Sequence, residues 1–317
     1  MIDRRTLLAA TAALALAAPA IGTAMAASHT SMEGKKIGLA VANLQADFFN
    51  QIKQSVEAYG AEKGLEVITV DAKGDAATQV NQVQDLLTQG IDAFIYIPAG
   101  AAAAAVPTRQ AKQAGIPVIN VDRNAEGAPG DTFIATDSVT SARQVCEYLI
   151  EQAGGEGKMV MIHGQKGTTP EIDRTQGCME AIEAAPGVEL VDEQYTQLWS
   201  QDEGFKITQD MLQANPDINI IFAQADGIAL GAAQAVKVVG PAQRIFVGGF
   251  DGDVAALEAL RDGVFDVTAT QQTQGMGRMA VDAAIALMGG EEVPAVQLQD
   301  ATLTTSENVE QFIENHP

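Results

Sequence analysis

The sequence predicts an α/β protein made of two similar lobes, each a doubly wound parallel sheet, joined by a hinge that the chain crosses several times. Short apolar runs alternate with amphipathic segments along most of the 317 residues, which is the pattern of βαβ units. The pattern occurs twice, and DLLTQGIDAFIYI from Asp85 resembles DMLQANPDINIIF from Asp210. No linker rich in Pro, Gly or Ser separates the halves, which favours lobes connected by short hinge segments over tandem domains.

The first half alternates strands and helices from its first long apolar run, KIGLAVAN. The alternation predicts strands at residues 36–43, 66–70, 93–97 and 117–121, and helices at residues 48–63, 77–88 and 102–114. Because helical crossovers separate the strands, neighbouring strands are expected to run parallel.

The second half repeats this order. It predicts strands at residues 158–163, 187–192, 218–224 and 245–250, and helices at residues 171–184, 202–214 and 227–239. The hinge crossings are expected near residues 135–137, 270–272 and 296–303. These crossings divide the chain into an N-terminal lobe (27–136 plus 272–298) and a C-terminal lobe (137–271 plus 299–317).

The N-terminus has the features of a secretory signal peptide over residues 1–26. Arg4 and Arg5 precede an apolar stretch at residues 7–18, and Ala24-Met25-Ala26 supplies the small residues that a signal peptidase recognises. The apolar stretch is shorter than the roughly 20 residues that span a bilayer. We therefore expect cleavage after Ala26 and a periplasmic protein, with export by the Sec or the Tat route left open.

Composition excludes several classes of partner. The formal net charge of −22 argues against binding to nucleic acid or anionic lipid, because either would need a basic face. The two cysteines, Cys146 and Cys178, lie in segments predicted as helices, and their spacing does not match a zinc site. Export permits a disulfide between them, but the sequence leaves the pairing open. No metal or other cofactor is expected.

Polar side chains follow the predicted strands, where ligands bind in open α/β sheets. They include residues 43–49 after the first strand, with Asn43 and Asp47, and Asp122 and Arg123 after the fourth. In the second half they are residues 224–226 and 251–253, with Asp251 and Asp253. Carboxylates accept hydrogen bonds from hydroxyls, guanidinium groups donate them, and an aromatic ring covers a C–H face. This combination predicts a site for a polyhydroxylated ligand.

Enzyme signatures are missing from the sequence. His29 and His316 lie near the two ends of the chain, which leaves His163 in a folded context, where it is expected to be packed at a strand end. The sequence has no G-x-S-x-G elbow and no phosphate-binding glycine loop. We therefore predict no catalytic residues and a protein that is not an enzyme.

Longer segments carry a resemblance to a known family: IGLAVANLQADFF (37–49), AGIPVINVDR (114–123), FAQADGIALGA (222–232) and VGGFDG (247–252). On these residues the chain resembles the ribose-binding and related sugar-binding proteins, the periplasmic relatives of LacI-type repressors. The resemblance implies the type 1 periplasmic binding fold and a monomeric solute-binding component of an ABC importer. Its ligand would be a small monosaccharide (pentose or hexose) or a polyol, and its partner an inner-membrane permease. The alternative is a periplasmic sugar sensor that acts on a chemoreceptor or a histidine kinase.

The resemblance also implies roles for individual residues. Aromatic walls and hydroxyl-binding groups are expected at Phe48, Phe49, Asp122, Arg123, Arg174, Trp199, Asp251 and Gln271. The chain departs from the ribose-binder pattern at Ala46-Asp47, where Asn-Pro is usual, and at Ile97 and Ala225, where Asn is usual. Asn43, Gln45, Asp47 and Gln272 are candidates for substitute contacts. Asn43, Asp47 and Ala225 complete the set of candidate ligand-binding residues. These departures predict that the ligand is not ribose itself.

Overall fold

The structure, a computed structural model, describes residues 32–101, 103–125 and 127–316. The predicted signal peptide lies outside these residues. No described helix combines the length and the apolar character that a membrane crossing requires.

The first sheet contains six parallel strands in the order β11-β5-β4-β3-β1-β2. Numbered along the chain, these strands are β1 (Lys36–Val41), β2 (Glu66–Asp71), β3 (Ala93–Tyr96), β4 (Val118–Val121), β5 (Thr132–Thr136) and β11 (Val296–Gln299). The helices that pack on this sheet are α1 (Asp47–Glu62), α2 (Ala76–Thr88), α3 (Ala105–Gln113) and α9 (Thr273–Met288). Fully buried side chains such as Leu39, Ile52 and Val281 join α1 and α9 to the sheet in one core.

The second sheet contains four parallel strands in the order β7-β6-β8-β9. They are β6 (Glu156–His163), β7 (Gly187–Tyr195), β8 (Ile220–Ala223) and β9 (Phe246–Gly248). The remaining elements of this half are α4 (Ser138–Gln152), α5 (Thr169–Glu183), α6 (Gln201–Ala214), α7 (Asp226–Val239), α8 (Val254–Arg261), β10 (Thr268–Thr270), β12 (Thr302–Thr304) and α10 (Glu310–Glu314). β10 pairs antiparallel with β12.

These two parallel sheets confirm the predicted fold class. Each predicted strand and helix is present with bounds that differ by a few residues. The sequence patterns missed β5 and the elements of the last 70 residues after β9, which include the 16-residue helix α9 and the strands β10 and β12 of three residues each. A strand of three residues is too short to show an alternating pattern, so only its pairing partner identifies it.

The chain passes between the two sheets after Thr136, after Thr270 and between Gln299 and Thr302. These passages contact one another, since the Asp137 amide donates to the Gln299 carbonyl at 2.9 Å. The Thr136 hydroxyl also donates to the Gln271 side-chain oxygen at 2.6 Å. The residue boundaries of the two lobes stay a prediction.

A disulfide joins α4 to α5 through Cys146 and Cys178, whose Cα atoms are 5.4 Å apart. Gly177, beside the disulfide, lets the two helices approach closely. A Cβ atom at this position would lie only 2.1 Å from the Val139 carbonyl oxygen of α4. The pairing that the sequence left open therefore follows from a tight helix contact.

Candidate ligand-binding site

A cavity of about 360 Å³ lies at the carboxyl ends of strands from both sheets. This volume is within the range of roughly 300 to 1,000 Å³ that is usual for small-molecule sites. From the first sheet it is lined by Asn43, Gln45, Ala46, Asp47, Phe48, Phe49, Asp122 and Arg123. From the second it is lined by Pro170, Arg174, Leu198, Trp199, Ser200, Gln201, Ala225, Gly227, Asp251 and Asp253.

Two phenylalanines form an apolar wall on the first-sheet side. Phe48 and Phe49 lie in the first turn of α1, with their rings edge to face and 5.3 Å apart. The Arg123 guanidinium is 5.1 Å from the centre of the Phe49 ring. An aromatic face and a hydrogen-bond donor therefore adjoin in one wall, as the sequence predicted for these residues.

Asp122 and Arg123 follow β4 and form a buried ion pair, with 3.6 Å between Nε and Oδ2. Burial raises the pKa of Asp122, while Arg123 and Arg174 oppose the rise. Arg123 also donates through Nη1 to the Pro98 carbonyl at 3.1 Å and to Gln165 Oε1 at 3.3 Å. Its guanidinium is thus held in place from both sides of the cavity.

Arg174, on α5, forms the second ion pair, with 3.4 Å between Nη1 and Asp251 Oδ1. The guanidinium also lies 3.8 Å from the centre of the Phe250 ring and donates to the Gln224 carbonyl. Burial raises the pKa of Asp251 to about 8, and Arg174 opposes the rise. Asp251, which follows β9, is thus a buried carboxyl group in the wall of the cavity.

Asp226 lies behind the cavity and fixes the loop of residues 251–253. Its carboxylate accepts from the amides of Gly252 at 2.7 Å and Asp253 at 3.0 Å, and from the Thr268 hydroxyl at 2.6 Å. Burial raises the pKa of Asp226 to about 6, and these hydrogen bonds oppose the rise. The second carboxyl group of this loop, on Asp253, thereby becomes part of the cavity wall.

Trp199 forms the wall on the second-sheet side. It has a φ of +60° and immediately precedes α6, whose first turn is closed by a capping box between Ser200 and Glu203. The indole lies flat on Gly164, where an added Cβ would be 1.8 Å from the ring. The guanidinium carbons of Arg123 and Arg174 are 5.5 and 5.6 Å from the ring centre.

Not every candidate residue reaches the cavity. Gln271 is fully buried behind Asp251 and donates to its Oδ1 at 2.8 Å, while Gln272 donates to the Asp300 carbonyl. Asp253 lines the cavity. The sequence placed it among the polar residues 251–253 that follow a predicted strand, but assigned it no individual role in binding.

Contacts beside the cavity connect its two sides directly. Besides the bond from Arg123 to Gln165, the Asn124 amide donates to the Thr169 hydroxyl at 3.0 Å. Leu198 also packs on Gly74, where an added Cβ would be 3.0 Å from its methyl group. The cavity is therefore bounded by both sides of the molecule at once.

A family model described as a periplasmic binding protein domain matches residues 37–292. The chain belongs to the periplasmic binding proteins. This match and the relatives below confirm the family resemblance that the sequence motifs indicated.

This periplasmic binding protein is 31% identical over 257 residues to the ribose import binding protein RbsB of Bacillus subtilis (strain 168), covering 81% of this chain and 83% of that protein. Among solved structures it is similar to an ABC transporter solute-binding protein from Bacillus halodurans C-125 with bound myo-inositol. The TM-score is 0.83 with 29% identity, over 90% of this chain and 99% of that one.

A third relative is part of a two-component system. The fructose-binding periplasmic domain of a hybrid two-component system matches with a TM-score of 0.82 and 26% identity, over 88% of this chain and 93% of that one. The relatives described here are thus binding proteins for small hydroxylated compounds.

Proposed function

We propose that this protein is the periplasmic solute-binding component of an ABC importer and that it binds a small monosaccharide (pentose or hexose) or a polyol between its two lobes. The observation that carries the proposal is one cavity in which two ion pairs, Asp122–Arg123 and Arg174–Asp251, lie beside the aromatic rings of Phe49 and Trp199. The signal-peptide pattern supports export, with cleavage after Ala26.

The chemistry of these groups matches a polyhydroxylated ligand. A carboxylate accepts from adjacent hydroxyls, and a guanidinium donates up to five hydrogen bonds in a fixed fork. Aromatic rings cover the C–H faces that these hydroxyls leave apolar. Charge-assisted hydrogen bonds formed away from water are the stronger kind, which supports recognition of one arrangement of hydroxyls over others.

The histidine that could suggest catalysis is engaged elsewhere. His163 is fully buried, lies within 3.0 Å of both the Thr175 hydroxyl and a Glu193 carboxylate oxygen, and does not line the cavity. Burial lowers the pKa of His163, and its glutamate neighbours oppose the change. This placement supports binding without chemical conversion.

The sensor class is the second candidate, favoured by the similarity to the fructose-binding domain of a two-component system. Deletion of the gene distinguishes the two. Loss of ligand uptake supports import, whereas normal uptake with a lost transcriptional or chemotactic response supports sensing.

A thermal-shift screen over pentoses, hexoses and polyols tests the binding proposal, with calorimetry of each compound that raises the melting temperature. We expect saturable binding by a monomer, recovery of the unchanged compound after incubation, and a light-scattering mass of one chain. Turnover of the compound, or no response to any compound in the screen, would contradict the proposal.

A further inference from the structure

The cavity has more acidic than basic side chains. Four carboxyl groups line it, on Asp47, Asp122, Asp251 and Asp253, and a fifth, Asp226, lies directly behind them. The basic groups in its wall are Arg123 and Arg174, and no lysine of the described residues lines it. A neutral sugar supplies no cation to these carboxyl groups, so beside it they avoid a buried negative charge only by holding protons.

The two guanidinium groups are already engaged by two of the carboxylates. Arg123 is paired with Asp122, and Arg174 with Asp251. Asp47 and Asp253 form no ion pair with any described residue. The carboxyl groups in the cavity wall that lack a basic partner are therefore those of Asp47 and Asp253.

Asp47 and Asp253 come from opposite sides of the cavity, and both line it. Asp47 begins α1, where it accepts a hydrogen bond from Gln51 at 2.9 Å, and Asp253 follows β9. Burial raises the pKa of Asp253 well above its usual range, and the nearby carboxylates of Asp251, Asp226 and Asp47 raise it further. Asp47 stands where ribose binders usually have proline, so the local charge departs from that pattern.

A further carboxylate in the wall also requires a donor. Asp122 is only 6% exposed and faces the cavity, yet no described residue donates a hydrogen bond to its carboxylate. Buried carboxylates are normally satisfied by hydrogen bonds, so this group marks a position for donors of a ligand.

We propose that the ligand carries a protonated amine, which makes it an amino sugar or an amino polyol, and that its ammonium group lies between Asp47 and Asp253. An ammonium group donates three hydrogen bonds and neutralises the carboxylates of Asp47 and Asp253. The hydroxyls of the ligand then contact Asp122, Asp251 and the two arginines. This inference rests on the proposed function and narrows its ligand class.

Binding of such a cation should change the protonation of the carboxyl groups in the cavity. In the empty cavity near neutral pH, the raised pKa values of Asp251 and Asp253 favour their protonated forms. A bound ammonium group favours the ionised forms and lowers these pKa values, so protons are released and affinity rises with pH while the amine stays charged. A neutral ligand would bury the same groups further and would not release protons.

Other titratable groups lie close to these carboxyl groups, so their protons must be distinguished from those of Asp251 and Asp253. Asp173, beside Arg174 on α5, has a pKa raised by burial, with Asp122 and Asp137 contributing. On the C-terminal segment, His316 Nε2 donates to the Gly252 carbonyl at 2.7 Å. A His316→Gln variant therefore serves to assign any proton that is released.

Matched probes test the inference: D-glucosamine against D-glucose, D-galactosamine against D-galactose, aminodeoxyglucitol against glucitol, and an aminodeoxyinositol against myo-inositol. We expect at least one amine to bind roughly tenfold or more tightly than its neutral partner in calorimetry. Equal or tighter binding of every neutral partner would overturn the amine proposal and leave the proposed function standing. Failure of all eight compounds to bind would count against both.

Charge-removing variants locate the ammonium group. Asp47→Asn and Asp253→Asn should each weaken the amine by roughly tenfold and change its neutral partner by less than about threefold. Asp210→Asn, an exposed carboxylate on α6, is the matched control and should bind like the unmodified protein. An amine that keeps its full affinity in both site variants would overturn the proposal.

Calorimetry in two buffers of different ionisation enthalpy measures the protons released or taken up on binding, which tests the inference independently of affinity. Slightly below neutral pH, binding of the amine should release protons, and the release should persist in His316→Gln. Proton uptake, or release that disappears in His316→Gln, would overturn the proposed linkage to the carboxyl groups.

Discussion

Individual residues in the cavity wall have unusual backbone conformations. Asp122 and Trp199 have φ of +60°, and Asp251 has φ of +130°, a region that non-glycine residues rarely adopt. Among the described residues, Lys73 is the other non-glycine residue with positive φ. Strained backbone persists where the surrounding structure holds it, often at binding sites, and at Asp122 the conformation directs the carboxylate into the cavity.

Asp122→Asn should remove ligand binding while the protein stays folded. Asparagine tolerates a left-handed backbone as aspartate does, so the substitution removes charge without changing the local conformation. Hydrogen bonds to a charged group contribute about 1.5 to 3 kcal/mol, so we expect a loss of affinity of roughly tenfold or more in calorimetry. An unchanged titration would exclude Asp122 from the site.

Trp199 should report ligand binding through its fluorescence, because it is the sole tryptophan of the sequence and it lines the cavity. A ligand that stacks on the indole replaces water around it, so the emission should shift saturably in wavelength or intensity. Trp199→Ala should also weaken binding in calorimetry. Tight binding to both proteins without an emission change would assign Trp199 a structural role only.

At the scale of elements, glycines determine how closely the helices beside the second sheet pack. Gly231 on α7 faces α6, and a Cβ at this position would lie 2.1 Å from the Gln201 carbonyl oxygen. Gly204 on α6 makes the reciprocal approach, with an added Cβ 2.4 Å from the Ile228 carbonyl oxygen. Because Trp199 and Ser200 immediately precede α6, this helix contact also determines where the indole lies.

Gly231→Ala should destabilise the protein by about 1 to 3 kcal/mol, because backbone atoms of α6 must move to accommodate the methyl group. Urea unfolding followed by circular dichroism measures the loss. The matched control is Gly275→Ala on α9, where the methyl group would meet the end of the Gln299 side chain at 2.8 Å and make an ordinary contact with Gln272 Cβ at 3.4 Å, with no backbone atom among these neighbours. This variant should be neutral or more stable by up to about 1 kcal/mol, since alanine favours a helix over glycine. Equal stability of both variants would show that the α6–α7 contact can relax.

At the scale of the whole molecule, contacts between the two sides predict closure around the ligand. Residues from both sheets line the cavity, and hydrogen bonds from Arg123 to Gln165 and from Asn124 to Thr169 join its two sides. A ligand that contacts both sides favours the conformation in which they are close together.

Small-angle scattering should therefore show a smaller radius of gyration at saturating ligand. The double variant Gln165→Ala, Thr169→Ala removes the hydrogen bonds that join the two sides and should shift the equilibrium toward the open form. Its affinity should fall, because less of the protein is in the binding-competent state. An identical radius with and without ligand would contradict a hinge mechanism.

Much of this architecture was predictable because it depends on local periodicity. Alternating apolar runs such as residues 36–43 predicted strands, and polar residues at their ends, such as Asp122 and Asp251, predicted where a ligand site would form. Parallel strands bring their carboxyl ends to one edge, so a linear pattern was sufficient to identify most of the cavity wall. The motifs also identified the family, which the comparisons confirm.

Only the tertiary structure decided which distant side chains meet. It places Gln271 behind Asp251, pairs Cys146 with Cys178, lays Trp199 on Gly164 and puts Asp253 and Asp47 in the wall of one cavity. Such contacts depend on side-chain direction and on how elements from different parts of the chain pack, and neither is encoded in the period of a single strand or helix. The class of protein therefore follows from local sequence, whereas the charge balance of its cavity follows from long-range packing.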